Sequence, residues 1–178
     1  MKTLKQHIDE ALKIGKNLSE WSSYSCQPKT KDELKNIIKD RISKEGLNCD
    51  LNDIDVSLIT DMNSLFYDSD FTGNISEWNV SNVKNMQNMF RFSKFNSDIS
   101  NWDVSCVDNM AYMFSGSKFN HNISKWNTST VKDMCSMFMH SKFNEDISQW
   151  KINKNCNTWF MFDLCPIKEE FKPKSLQS

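Results

Sequence analysis

The side chains best suited to chemistry in this 178-residue chain are six cysteines, three histidines and a column of oxygen-bearing residues that returns every 24 positions. Cys135 and His140 are five apart, but a thiol nucleophile needs a base within hydrogen-bond reach and a third group to orient it, and this spacing promises neither. His7, His121 and His140 are scattered, one per region, with no HxxxH or CxxC pair, so a zinc site has little support. Asp98, Asn122 and Asp146 share a column, and stacked oxygens can hold calcium. Calcium-binding repeats also use glycine-rich turns, however, and the chain has only four glycines. No Gly-rich phosphate loop is present either. The expectation is therefore no catalytic residues, no metal, no cofactor and no enzymatic activity.

The cysteines (Cys26, Cys49, Cys106, Cys135, Cys156 and Cys165) form no CxxC pair. Cys106 and Cys135 also fall at different places in the repeat, so neither has an equivalent partner one unit away. Reduced, mostly buried thiols are expected, because free cysteine behaves as a small apolar residue.

The elements that position these residues are set by repetition. Residues 78–101, 102–125 and 126–149 read "WNVSNVKNMQNMFRFSKFNSDISN", "WDVSCVDNMAYMFSGSKFNHNISK" and "WNTSTVKDMCSMFMHSKFNEDISQ", with 12 of 24 columns identical in all three. A fixed period in this range marks a stack of units, none of which buries its apolar side alone. The pattern fades in residues 54–77, where Ile54 replaces the tryptophan, and in 150–173, which keep Trp150, Met161 and Phe162 and then reach Pro166 and Pro173.

Within a unit the apolar spacing changes. Val83, Met86, Met89 and Phe90 fall on one face of a short helix, with Ser81, Ser105 and Ser129 as N-caps. The phrase "FNxDISxW" then reads as a loop leading into a short strand around Ile99 to Val104. The fold class expected is α/β: a short solenoid of about five 24-residue strand–helix coils, capped by N-terminal α-helices. Parallel strands about 4.8 Å apart would place Trp78, Trp102, Trp126 and Trp150 in one buried column. Asn96, Asn120 and Asn144 would form a ladder bonding turn backbone.

Ahead of the repeats, residues 3–18 carry Leu4, Ile8, Ala11, Leu12 and Leu18 on a helical pattern, read as a docking or self-association helix. Residues 19–29 have the composition of a linker. "TKDELKNIIKDRISKEG" comes next, with Thr30 and Glu33 as a capping box and Gly46 as the stop, and is expected to cover the open edge of the first coil. The division is thus 1–29 for the N-terminal helix and linker, 30–53 for the capping helix, 54–174 for the solenoid and 175–178 for a tail. The opening "MKTLKQHIDEALKIGKNL" has no apolar run of membrane-spanning or signal-peptide length. With 22 basic and 23 acidic residues, nothing draws the chain to nucleic acid or to a membrane surface.

The phrase W-[ND]-[VT]-S-x-V-x-[ND]-M-x-x-M-F-x-x-S-K-F-N-x-[ND]-I-S, carried over residues 54 to 165, resembles the repeat of BspA-like leucine-rich-repeat proteins, found in bacterial surface proteins, some protists and gut bacteriophages. The resemblance implies a right-handed, leucine-rich-repeat-like solenoid and, in the surface members, adhesion or protein binding.

If packing fixes the shared columns, the varied ones are free to face a partner: Arg91 and Phe92 against Ser115 and Gly116 against Met139 and His140, with Tyr112 nearby. Exposed aromatics and methionines are enriched in interface cores, whereas plain drift at solvated positions is the alternative. Lys94, Lys118 and Lys142 form a basic column that suits an acidic partner or is simply solvated. Three functions stand as expectations. The first is a non-enzymatic protein–protein interaction module with an unidentified protein partner and a cytoplasmic or virion-associated location. The second is a structural virion-associated or surface-assembly component of a bacteriophage or bacterium. The third, with less behind it, is a glycan-binding adhesin.

Overall fold

The computed structural model describes residues 24–177. One α-helix, α1 (Lys31–Glu45), forms as its sequence dictates. The Thr30 hydroxyl accepts the Glu33 N–H at 3.2 Å, the Glu33 carboxylate accepts the Lys29 N–H at 2.7 Å, and the chain leaves the helix at Gly46 with φ of 92°. Leu34 and Ile38 are buried against the first repeat unit, while Lys31 bonds Asp61 at 2.8 Å and Arg41 bonds Asp53 at 2.8 Å.

The strand–helix solenoid does not form. Among the described residues α1 is joined only by short 3-10 turns at Glu169–Phe171 and Lys174–Leu176, and strand pairing is confined to isolated parallel bridges such as Asn85 with Asn109 and Asn109 with Asp133. The repeat is mostly turn and irregular backbone. Neither a helix after Ser81 nor a strand around Ile99 is present. The apolar columns are built from Met, Phe, Trp, Val and Ile, and nothing specific to a leucine-rich repeat is found among the described residues.

The physical reason lies in where the backbone N–H groups point. In a helix each would return four residues along its own chain. Here Met86, Asn88, Phe90 and Phe92 donate instead to the carbonyls of Asn109, Ala111, Met113 and Ser115 in the next unit, at 2.8 to 3.0 Å. Met110, Tyr112, Phe114 and Gly116 do the same to Asp133, Cys135, Met137 and Met139. To aim alternate amides sideways, each unit places two residues in the left-handed region, four apart: Asn88 and Phe92, Tyr112 and Gly116, Ser136 and His140. A non-glycine residue there costs roughly 1–2 kcal/mol. Four inter-unit bonds at about 1 kcal/mol net each therefore little more than offset the two strained residues, and burial of the apolar columns must supply the stability.

Those columns are continuous. Phe66, Phe90, Phe114, Phe138 and Phe162 stack with centroids 5.5, 5.6, 5.7 and 5.8 Å apart, beside a second stack of Phe71, Phe95, Phe119 and Phe143 at 6.3 Å. Trp78, Trp102, Trp126 and Trp150 are buried as expected, each donating its indole N–H to the carbonyl of Leu51, Ile75, Ile99 or Ile123, 27 residues earlier.

The polar columns fasten turns. Ser81, Ser105 and Ser129 do not act as N-caps; their backbone N–H groups are themselves accepted by the side-chain oxygens of Asn79, Asp103 and Asn127. The asparagine ladder joins units directly, since Asn96 accepts the Asn120 N–H at 2.8 Å and Asn120 accepts that of Asn144 at 2.7 Å.

Truncating one tryptophan tests this packing. Trp102→Ala removes a 4 % exposed ring and its interior hydrogen bond, and should cost roughly 3–5 kcal/mol by denaturant unfolding. An unchanged midpoint would place the column outside the core.

Candidate functional site

The left-handed residues also decide what each unit shows to its surroundings. Met86, Met89 and Phe90 turn inward and are buried, while Gln87, Asn88, Arg91 and Phe92 remain accessible. On this outer face the structure brings together Arg91, Phe92 and Tyr112. The Arg91 guanidinium lies 4.8 Å from the Phe92 ring centroid and 4.8 Å from that of Tyr112, while its Nη1 donates to the Asn88 side chain at 3.3 Å. Tyr67 meets the Phe92 ring edge-on at 6.0 Å. Phe92 is 47 % exposed, so this ridge of three rings and one cation is solvent-facing and held by its own contacts.

Gly116 makes the ridge possible. It sits at φ of 66°, and a Cβ there would fall 2.4 Å from the Phe92 ring. The equivalent residues in neighbouring units are Phe92 itself and His140, so only the glycine of the central unit lets the ring lie over the backbone.

The other expected partner-facing residues are more dispersed. Met139 and His140 occupy the Arg91 and Phe92 columns two units further on, half-buried and exposed respectively. Lys94, Lys118 and Lys142 are exposed, with their backbone N–H groups tied to Ser69, Ser93 and Ser117. Lys94 pairs with Asp70 at 2.9 Å. Tyr67 was not singled out by sequence, although it stands in the Arg91 column of the first unit. Trp159, Phe160 and Leu164, at 75 %, 65 % and 70 % exposure, were also missed. The self-association helix read over residues 3–18, and His7 with it, lie outside the described residues.

The residues considered for chemistry have other partners. Cys135 Sγ lies 3.9 Å from the Tyr112 hydroxyl and 3.7 Å from that of Ser136, with no bond to His140. The described cysteines are free thiols, but only Cys49 is fully buried and Cys106 is exposed, so the expectation of mostly buried thiols does not hold. Burial pushes the Cys156 thiol up to about 11 and raises Cys165 and Cys49 as well, which keeps all three protonated at neutral pH. Among the described residues no group of three His, Cys, Asp or Glu side chains is placed to hold a metal, and no helix is long and apolar enough to cross a membrane.

The Asp98, Asn122 and Asp146 oxygens accept the backbone N–H groups of Ser100, Ser124 and Ser148 at 2.8 to 2.9 Å. Those backbone bonds, with the serine hydroxyls, hold the carboxyls of Asp98 and Asp146 below the usual range, and the Ser105 hydroxyl and N–H do the same for Asp103. A depressed folded-state pKa contributes stability above the unfolded value, which is lost as pH falls through the folded one. Stability should therefore decline below about pH 4. Replacing all three with asparagine, the residue found at Asn122 and Asn127, should flatten that decline in acid titrations followed by circular dichroism. An unaltered profile would show that these turns do not govern acid unfolding.

Gly116→Ala should destabilise the chain by roughly 1–3 kcal/mol and move the Phe92 ring, read as loss of the ring-current shifts it imposes on Arg91. A normal melting temperature with unaltered shifts would refute the steric role of Gly116.

Compared with known proteins, the chain matches no curated protein and no solved structure. It does match the model of the family described as "Mycoplasma protein of unknown function, DUF285", over residues 32–118 and again over 93–170. The two overlapping matches together span most of the chain and accord with its internal repetition, and the protein belongs to this family of repeat proteins.

Proposed function

We propose that the protein is a non-enzymatic protein-interaction module whose docking face is the ridge of Tyr67, Phe92, Arg91 and Tyr112. The observation that carries this reading is the Arg91 guanidinium held between two rings at 4.8 Å each. Tyrosine and arginine dominate binding energy at interfaces, and side chains already ordered before contact lose less entropy on binding. The packed columns beneath hold the ridge in place. Lys118 and Lys142 are exposed, have no ion pair among the described residues and suit a partner with an acidic rim. The repeat phrase supports a finer kinship with BspA-like leucine-rich repeats, whose surface members serve in adhesion or protein binding.

A photo-crosslinking residue placed at Phe92 tests the reading, with the same residue at Lys151 as a control elsewhere on the surface. In the native source, position 92 should capture one protein at high yield, and raising salt should lower that yield by weakening the acidic rim. Capture of the same proteins from both positions, or of none, would overturn the assignment.

A further inference from the structure

The ladder between units has a direction, and it leaves the two ends of the stack chemically different. In the alternating row each unit donates N–H groups toward its C-terminal neighbour and offers carbonyls toward its N-terminal one, while single amides outside that row, such as Asp108 to Lys84 and Lys118 to Ser93, run the other way. In the last unit, Thr158, Phe160, Phe162 and Leu164 stand where Met134, Ser136, Phe138 and His140 stand one unit earlier. Those four earlier residues donate to Asn157, Trp159, Met161 and Asp163, whereas the final four amides have no acceptor among the described residues. Beside them Trp159, Phe160 and Leu164 are the most exposed large apolar side chains described.

We infer that this edge is a docking site for a segment of a protein partner that adds by its backbone, presenting four carbonyls on alternate residues over a stretch of seven, with apolar side chains to cover Trp159, Phe160 and Leu164. The donor-only row selects such an occupant. A second copy's matching row brings only donors, so joining two such rows would bury unpaired N–H groups. Another copy's first unit does offer the carbonyls of Asp61, Asn63, Leu65 and Tyr67, but α1 is seated across that end with Leu34 and Ile38 buried and Lys31 bonded to Asp61. The other half of the C-terminal edge is partly closed, because the Phe171 carbonyl accepts the Ile147 N–H at 2.9 Å and Leu176 packs against the core, while within the row the Lys172 amine lies 5.9 Å over the Phe162 ring and accepts none of the four amides. The open part is thus the row from 158 to 164, the length of a short peptide segment that pairs through its main chain.

The test uses the full chain, isotopically labelled, and a synthetic peptide of residues 107–117. In the intact protein that stretch already offers the carbonyls of Asn109, Ala111, Met113 and Ser115 to an equivalent amide row. The peptide should shift the amide resonances of Phe160, Phe162 and Leu164 and slow their hydrogen exchange by about tenfold or more. A variant carrying Trp159→Gln, Phe160→Asn and Leu164→Gly, the residue types of Gln87, Asn88 and Gly116, keeps the backbone compatible. It should melt normally and bind the peptide about tenfold or more weakly. No perturbation at saturating peptide, or equal binding by both forms, would overturn the inference. Amides already protected without peptide would reassign the edge, to a second copy if the protection rises with protein concentration and to the chain's own residues 1–23 if it does not.

Discussion

The constraint on which the structure depends is that alternate backbone amides of each unit are spent on the neighbouring unit. Once Tyr112 and Phe114 donate to Cys135 and Met137, the segment can no longer be helical, and two residues per unit must take left-handed conformations to keep the amides aligned. Side-chain directions are fixed by that backbone. Methionine and phenylalanine turn into the stack, while left-handed residues such as Asn88, Phe92 and His140 remain accessible. The aromatic spacing of 5.5 to 5.8 Å is the same repeat seen from the core.

This division of labour makes an ordered surface from an irregular backbone. The inner columns repeat because every unit must complete its neighbour's core, and the outer columns are free to differ. Phe92 can rest on Gly116 because the two are one unit apart in the same column, and Arg91 reaches Tyr112, which stands in the Asn88 column of the next unit. The ridge is therefore a product of stacking: its members are distant in sequence but adjacent by register. One end of the stack is covered by α1, through Leu34, Ile38 and the Lys31–Asp61 pair, and the alternating row leaves donors at the other.

Sequence showed the period, the inward tryptophan, methionine and phenylalanine columns, and α1 with its Thr30 and Gly46 boundaries, because identical residues at fixed spacing and local capping chemistry are both readable from one chain. It also pointed to Arg91, Phe92 and Tyr112 through their departure from the shared columns. The strand–helix character was misread. Val83, Met86, Met89 and Phe90 have helical spacing, yet the same spacing serves a run of turns in which Asn88 and Phe92 are left-handed, and only one such position in ten carries the glycine that would have signalled it. The exposed edge at Trp159, Phe160 and Leu164 was hidden because their columns read as a fading repeat, and exposure at a stack's end depends on whether another unit packs beyond it.

The most direct test of the inter-unit ladder is the measurement of through-hydrogen-bond scalar couplings between amide nitrogens and carbonyl carbons in the labelled, deuterated protein. Couplings should connect Asn88 to Ala111, Tyr112 to Cys135 and Ser136 to Trp159, which are paired at 2.8 to 3.0 Å. Couplings from the same amides to carbonyls four residues earlier in their own units would restore the helix and contradict the account.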